Sequence, residues 1–149
     1  MTAQGEPASF GDIHHLGLTV RDVDASAAWY GRVLGFERVG GWDSPDGTRR
    51  KVFLRHHGLR ARLGLTQHRG GGQDVFDERR VGLDHLAFAV ADRAELDAWA
   101  IRLAAAAVPH SPIASANSIP GATVLVFRDP DNIQLELFAD PPESGSGGG

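Results

Sequence analysis

Two histidines 70 positions apart, His15 and His85, each lead a short run in which apolar and small residues alternate, and one carboxylate, Glu136, sits inside a third such run. In the first two runs Leu16, Leu18, Val20 and Leu86, Phe88, Val90 recur at period two, the pattern of a strand with one buried face. His15, Gly17, Thr19 and His85, Ala87, Ala89 then fall on the opposite face, where small neighbours leave open volume beside each imidazole. The third run sets Gln134, Glu136 and Phe138 away from Ile133, Leu135 and Leu137. An ionised carboxylate in such a cleft is costly unless it is protonated, ion-paired or bound to a cation. Two imidazoles on repeat-related faces are the natural co-ligands. Two nitrogens and one oxygen form an open set that suits one divalent ion (Fe, Mn, Ni, Co or Zn), leaves positions free for substrate, and supplies Lewis-acid chemistry.

The elements that must position these residues repeat as a unit. The segment from His15 (HLGLTVRDVDASAAWYGR) aligns without gaps on the segment from His85 (HLAFAVADRAELDAWAIR), and Asp22, Trp29 and Arg32 fall on Asp92, Trp99 and Arg102. After each strand an acid marks a helix start, Asp24 in the first copy and Asp92 in the second, where Glu95 three residues on completes a capping-box pattern. Helices are expected over 24–34, stopped at Gly35, and over 93–106. Three strands follow each: 36–42, 50–56 and 61–67, then 110–115, 122–128 and 133–139. The fold class is therefore α+β, two tandem βαβββ modules. Module one covers about 12–67, a Gly-rich linker 68–82, and module two 83–139, all within a single domain over 1–139, with 140–149 a disordered tail.

Composition removes several functions. A length of 149 residues fits one compact domain. A formal charge of -4, with no block of like charge, argues against nucleic acid or a membrane surface as partner. There is no cysteine, which excludes disulfides, thiolate metal sites and thiol nucleophiles. The opening MTAQGEPASF has neither a basic start nor an apolar run, so the expected location is the cytoplasm.

The paired HLxxxV strands, the run DVDASAAWYGRVLGF from Asp22 to Phe36 and the closing FRDPDNIQLELF together resemble the vicinal oxygen chelate superfamily over roughly 12–139. The resemblance implies that the two modules form a half-barrel cleft, that the partner is a small molecule with vicinal oxygens, that the protein is a homodimer, and that Glu136 also shuttles a proton. The stretch from His15 resembles the opening of glyoxalase I, whose first module supplies a further Glu or Gln ligand; the matching position here is Gly64. A His, His, Glu set resembles instead fosfomycin-resistance transferases and extradiol dioxygenases. The position ten residues before Glu136, a tyrosine in the dioxygenases, is Val126, and the 115–121 segment has no lysine for a phosphonate. The alternative is a binding module similar to bleomycin-resistance proteins, which hold a drug in a metal-free groove between two chains.

Other residues divide between cleft and scaffold. Trp42, Phe53, Arg55, Arg62 and Phe138 are candidates for the cleft lining, and Arg55 and Arg62 for a clamp on a carboxylate or phosphate. His14 alternates onto the packed side, and His56, His57, His68 and His110 fall at strand ends or in loops, where solvated or structural roles are expected. Trp29 and Trp99, at equivalent helix positions, are expected as core or interface aromatics.

Overall fold

The computed structural model describes residues 7–144, so the expected tail is described only as far as 144 and its remainder lies outside the described residues. The chain runs β1 (His15–Thr19), α1 (Val23–Leu34), β2 (Glu37–Asp43), β3 (Arg49–Arg55) and β4 (Arg62–His68), then β5 (Leu86–Val90), α2 (Arg93–Ala105), β6 (Ala114–Ser115), β7 (Thr123–Arg128) and β8 (Gln134–Ala139). The sheets are ordered β1-β4-β3-β2 and β5-β8-β7-β6, with β1 parallel to β4 and β5 parallel to β8. This is the α+β pair of βαβββ modules expected from the repeat. It leaves β1 and β5 each paired on one side only. Among the described residues no helix is long and apolar enough to cross a membrane.

Local chemistry sets the boundaries. The cap of α1 is Asp22, not Asp24: its side chain accepts from the Asp24 and Ala25 backbone N–H groups at 3.0 Å. Asp22 is the repeat mate of Asp92, which caps α2 by accepting from Glu95 N. Asp24 instead pairs with Arg38 and Arg50 across the sheet. Gly35 ends α1 in the left-handed region at φ 80, where a side chain would be strained. The strand expected over 110–115 shrinks to Ala114–Ser115 with an isolated bridge between His110 and Phe127. Pro112 brings no N–H to the ladder, and the Ser111 hydroxyl takes the Val126 N–H at 2.9 Å in place of a backbone carbonyl. His14 is exposed rather than packed, because it precedes the first residue of β1 and nothing covers it there.

One apolar cluster joins both modules and includes Leu18, Tyr30, Leu54 and Leu65 from the first and Leu96, Leu125, Phe127 and Leu135 from the second. The seam is carried by α1. Trp29, partly buried as expected of an interface aromatic, lies 6.3 Å from the Phe127 ring, and Phe36 meets Phe88 at 6.1 Å. Beneath them two buried carboxylates of the β7–β8 turn receive donors from module one. Asp129 Oδ2 accepts from the Tyr30 hydroxyl at 2.8 Å, and Asp131 Oδ1 from Arg21 Nε at 2.8 Å. The other Asp129 oxygen accepts the backbone N–H groups of Asp131 and Ile133. Burial pushes both the Asp129 carboxyl and the Tyr30 phenol above their ordinary ranges, so each group depends on the other for its hydrogen bond. The 68–82 segment is pinned to the same turn: Phe76 N donates to Asp131 O at 2.8 Å, and Asn132 Nδ2 to Phe76 O at 3.0 Å.

Tyr30→Phe removes the one side-chain donor to Asp129 while keeping ring volume. It is expected to lower unfolding free energy in urea by about 1–3 kcal/mol, the cost of a buried acceptor left short of a donor. A change within the error of the urea fit would show that the seam does not rest on this bond.

Candidate functional site

The alternation that hides Leu135 and Leu137 turns Glu136 outward on β8, where it stands between Ala87 on β5 and Val126 on β7. His85 immediately precedes β5, and its ring reaches the same spot. His85 Nε2 lies 3.6 Å from Glu136 Oε2, with side-chain exposures of 41% and 14%. The imidazole is therefore accessible while the carboxylate is largely recessed.

Each member of this pair is held from behind. His85 Nδ1 makes a 2.6 Å hydrogen bond with Asp84 Oδ1. That bond fixes the ring and leaves Nε2 as the free nitrogen toward Glu136, the carboxylate–imidazole arrangement that stands behind many metal-ligating histidines. Glu136 Oε1 accepts from Gln134 Nε2 at 3.1 Å, Gln134 Oε1 accepts from Arg128 Nη2 at 3.1 Å, and Arg128 is forked onto Glu78 with two bonds of 3.0 Å. A chain of four side chains thus runs from the inter-module segment to the recessed carboxylate. Asp84, Gln134, Arg128 and Glu78 were absent from the residues singled out by sequence. A usable signal existed for two of them, since Asp84 adjoins the histidine and Gln134 shares the face of Glu136.

A divalent ion fits this pair. Nitrogen and oxygen donors each about 2.1 Å from one ion lie roughly 3–3.5 Å apart, close to the observed separation, and one soft-intermediate and one hard donor match the metals expected from sequence. The third expected ligand stands elsewhere. His15 lies on the outer face of module one, its Nδ1 2.9 Å from His14 Nδ1. Among the described residues no group of three or more His, Asp or Glu is placed to hold a metal. Within one chain, then, His85 and Glu136 come together and His15 does not join them.

The other expected lining residues divide in the same way. Phe138 shares the face of Glu136 and pairs with Ala89 and Val124 in register. Arg62 faces His15 across the β1–β4 ladder. Phe53 is half-buried beside Gly40 and Gly64, and Gly17 faces open space, as the small-residue pattern required. Trp42 is 42% exposed and carries Arg49 and Lys51 over its ring at 5.5 and 5.6 Å. Arg55 is engaged by Glu37 at 2.9 Å.

Comparison with known proteins agrees with the two-module fold. Residues 12–137 match the family described as the Glyoxalase/Bleomycin resistance protein/Dioxygenase superfamily. A catechol-2,3-dioxygenase of Bacillus subtilis is 32% identical over 134 residues; the match covers 87% of this chain and 43% of that protein, so the chain spans less than half the length of this relative. A glyoxylase/bleomycin resistance protein/dioxygenase domain from Frankia sp. superposes with a TM-score of 0.80 at 36% identity, covering 91% of this chain and 96% of that one. A lactoylglutathione lyase from Agrobacterium tumefaciens superposes with a TM-score of 0.64 at 27% identity, covering 90% and 96%.

The Glu78–Arg128 tie has a defined pH range. Arg128 holds the Glu78 carboxyl down to about 2 from an ordinary 4.5, so the contribution is present above the ordinary value and is lost as pH falls through about 2. Glu78→Gln is therefore expected to flatten the loss of thermal stability across that acid window, and added salt to shrink the difference because the pair is solvent-facing. Parallel curves for the two proteins would show that the tie does not hold the segment.

Proposed function

The chain belongs to the Glyoxalase/Bleomycin resistance protein/Dioxygenase superfamily, and from that premise we propose that it is a divalent-metal-dependent enzyme acting on a small molecule with two adjacent oxygens. The observation that carries this reading is the 3.6 Å approach of His85 Nε2 to Glu136 Oε2, with the other imidazole nitrogen already engaged by Asp84. A bound ion supplies Lewis acidity toward oxygens of the substrate. Asp84 keeps His85 in the tautomer whose free nitrogen faces the cleft. Gln134 occupies one oxygen of Glu136 and leaves the other free, so this carboxylate holds a donor position and accepts a substrate proton only if one oxygen is released. Val126 and Ala87 flank it across the ladder and Phe138 lies on the same face, and none of these side chains donates a proton. Proton traffic at this face therefore rests on Glu136 and on substrate itself.

The third donor is His15 of a second copy of the chain. Support comes from the sheets: β1 and β5 are edge strands with one side unpaired, and Leu86 on β5 stays only partly buried. A homodimer in which β1 of one copy lies beside β5 of the other covers these edges. It also brings the His15 face, with Arg62 and Phe53, over the His85–Glu136 face, and two-fold symmetry gives two equivalent sites. The competing reading, a metal-free groove that sequesters a small molecule between two chains, uses the same dimer without the three ligands.

Metal content and subunit mixing separate these readings. Protein prepared without chelator is expected to hold one ion per chain, to lose it in His85→Ala, and to bind it about 10–100-fold more weakly in Asp84→Asn, the usual penalty for removing the group behind a ligating histidine. His15→Ala and Glu136→Ala chains, each without metal alone, are expected to recover one ion per mixed dimer, because one of its two sites then has all three donors. Metal-free wild-type protein would favour sequestration, and mixing without recovery would overturn the site shared between two chains.

A further inference from the structure

A cavity opens where the two modules meet, between the α1–β2 and β3–β4 connections, α2 and β5. Its volume is about 590 Å³, within the range of small-molecule pockets. Phe36, Phe88, Val90, Trp99 and Leu137 give it apolar walls, and none of His15, His85 or Glu136 lines it. The polar groups that face it are His56, His57, Arg102 and Glu95.

Two of these converge on one point. A methyl group placed on Gly35 would lie 3.6 Å from His56 Nε2 and 3.9 Å from Arg102 Nη2. His56 Nδ1 accepts the Gly58 backbone N–H at 3.0 Å, so a neutral ring carries its proton on Nε2, on the Arg102 side. Burial first, and then the neighbouring His57, push the His56 ring below its ordinary range, against an upward pull from the Leu34 carbonyl, which accepts a ring N–H, and with a smaller downward push from Arg102. The Arg102 guanidinium is stacked 4.9 Å over Trp99 and, among the described residues, meets no carboxylate within ion-pair reach. A guanidinium fork with no carboxylate partner, stacked on an apolar wall, is a carboxylate receptor. Glu95 lies seven residues earlier on α2, about 10 Å along the helix axis, and places an acceptor at the opposite end.

We propose that this cavity is a second small-molecule site, for an aryl carboxylic acid with a hydrogen-bond donor at its far end. The carboxylate pairs with Arg102, the ring lies against Trp99, Phe36 and Phe88, and the distal donor reaches Glu95. The charge pattern selects polarity as well as class: the reversed orientation would set carboxylate against carboxylate.

The probe is 3-(4-hydroxyphenyl)propanoate, titrated into the full chain and followed by tryptophan fluorescence and by calorimetry. Saturable binding is expected, weakened about tenfold or more in Arg102→Gln, as loss of a charge-assisted hydrogen bond requires, with Arg102→Lys between the two. 3-Phenylpropanoate, which lacks the hydroxyl, is expected to bind more weakly, and Glu95→Ala to erase that difference. His85→Ala is expected to bind the probe as wild type does, which keeps this result separate from the metal reading. Failure to saturate at millimolar probe, equal binding by wild type and Arg102→Gln, or loss of binding in His85→Ala would each overturn the proposal. The first would also be the outcome if a second copy of the chain fills the cavity.

Discussion

The Asp129 carboxylate lies inside the protein with its oxygens taken by two backbone N–H groups of its own turn and by the phenol of Tyr30 from the other module. Stripped of those donors the buried acid would destabilise the fold by several kcal/mol; supplied with them, it fixes three things together. It shapes the β7–β8 turn, where Asn132 adopts the left-handed conformation at φ 66 that asparagine tolerates better than most residues. It anchors α1 to the second sheet. It also sets the register of β8, in which a slip of one residue would turn Glu136 into the core and Leu135 out to solvent. The outward carboxylate thus depends on a hydrogen bond made by a helix of the opposite module.

Much of the scaffold was legible because its signals are local and repeated. Period-two alternation located the strands that carry His15, His85 and Glu136, and the 70-residue offset tied one module to the other. Two acids compete at the start of α1, and only the 70-residue offset distinguishes them. Asp22, the mate of Asp92, caps α1, whereas the more obvious Asp24 belongs to a surface ion pair. The short β6 was misjudged because a serine hydroxyl replaces a ladder bond there, and periodicity carries no trace of that exchange. Alternation likewise gave the face of each candidate ligand but not its supporting partners. Asp84 and Gln134 are ordinary polar residues in the sequence and acquire meaning only through the nitrogen and oxygen they occupy.

How the modules face one another was the least legible feature, since it arises from Trp29 on Phe127 and Phe36 on Phe88, contacts between distant segments that no local pattern encodes. That packing joins helix-side residues of both modules in one apolar cluster. Gly64 and Val126 narrow what the two ligand-bearing sheet faces do: one offers no fourth side-chain donor, the other no proton donor. Chemistry at this cleft is consequently confined to few groups, and the aromatic and aliphatic residues around them serve mainly to shape the space.

The residue before each histidine adds an asymmetry to an otherwise two-fold design. In module two the ring leans on an anion, Asp84; in module one it leans on a second imidazole, His14. A carboxylate behind an imidazole makes its free nitrogen the stronger Lewis base, whereas a second imidazole in that place carries no comparable negative charge. Two halves with the same backbone plan are therefore unequal in the proposed metal binding: the Asp84-backed imidazole is the stronger base and the His14-backed one the weaker.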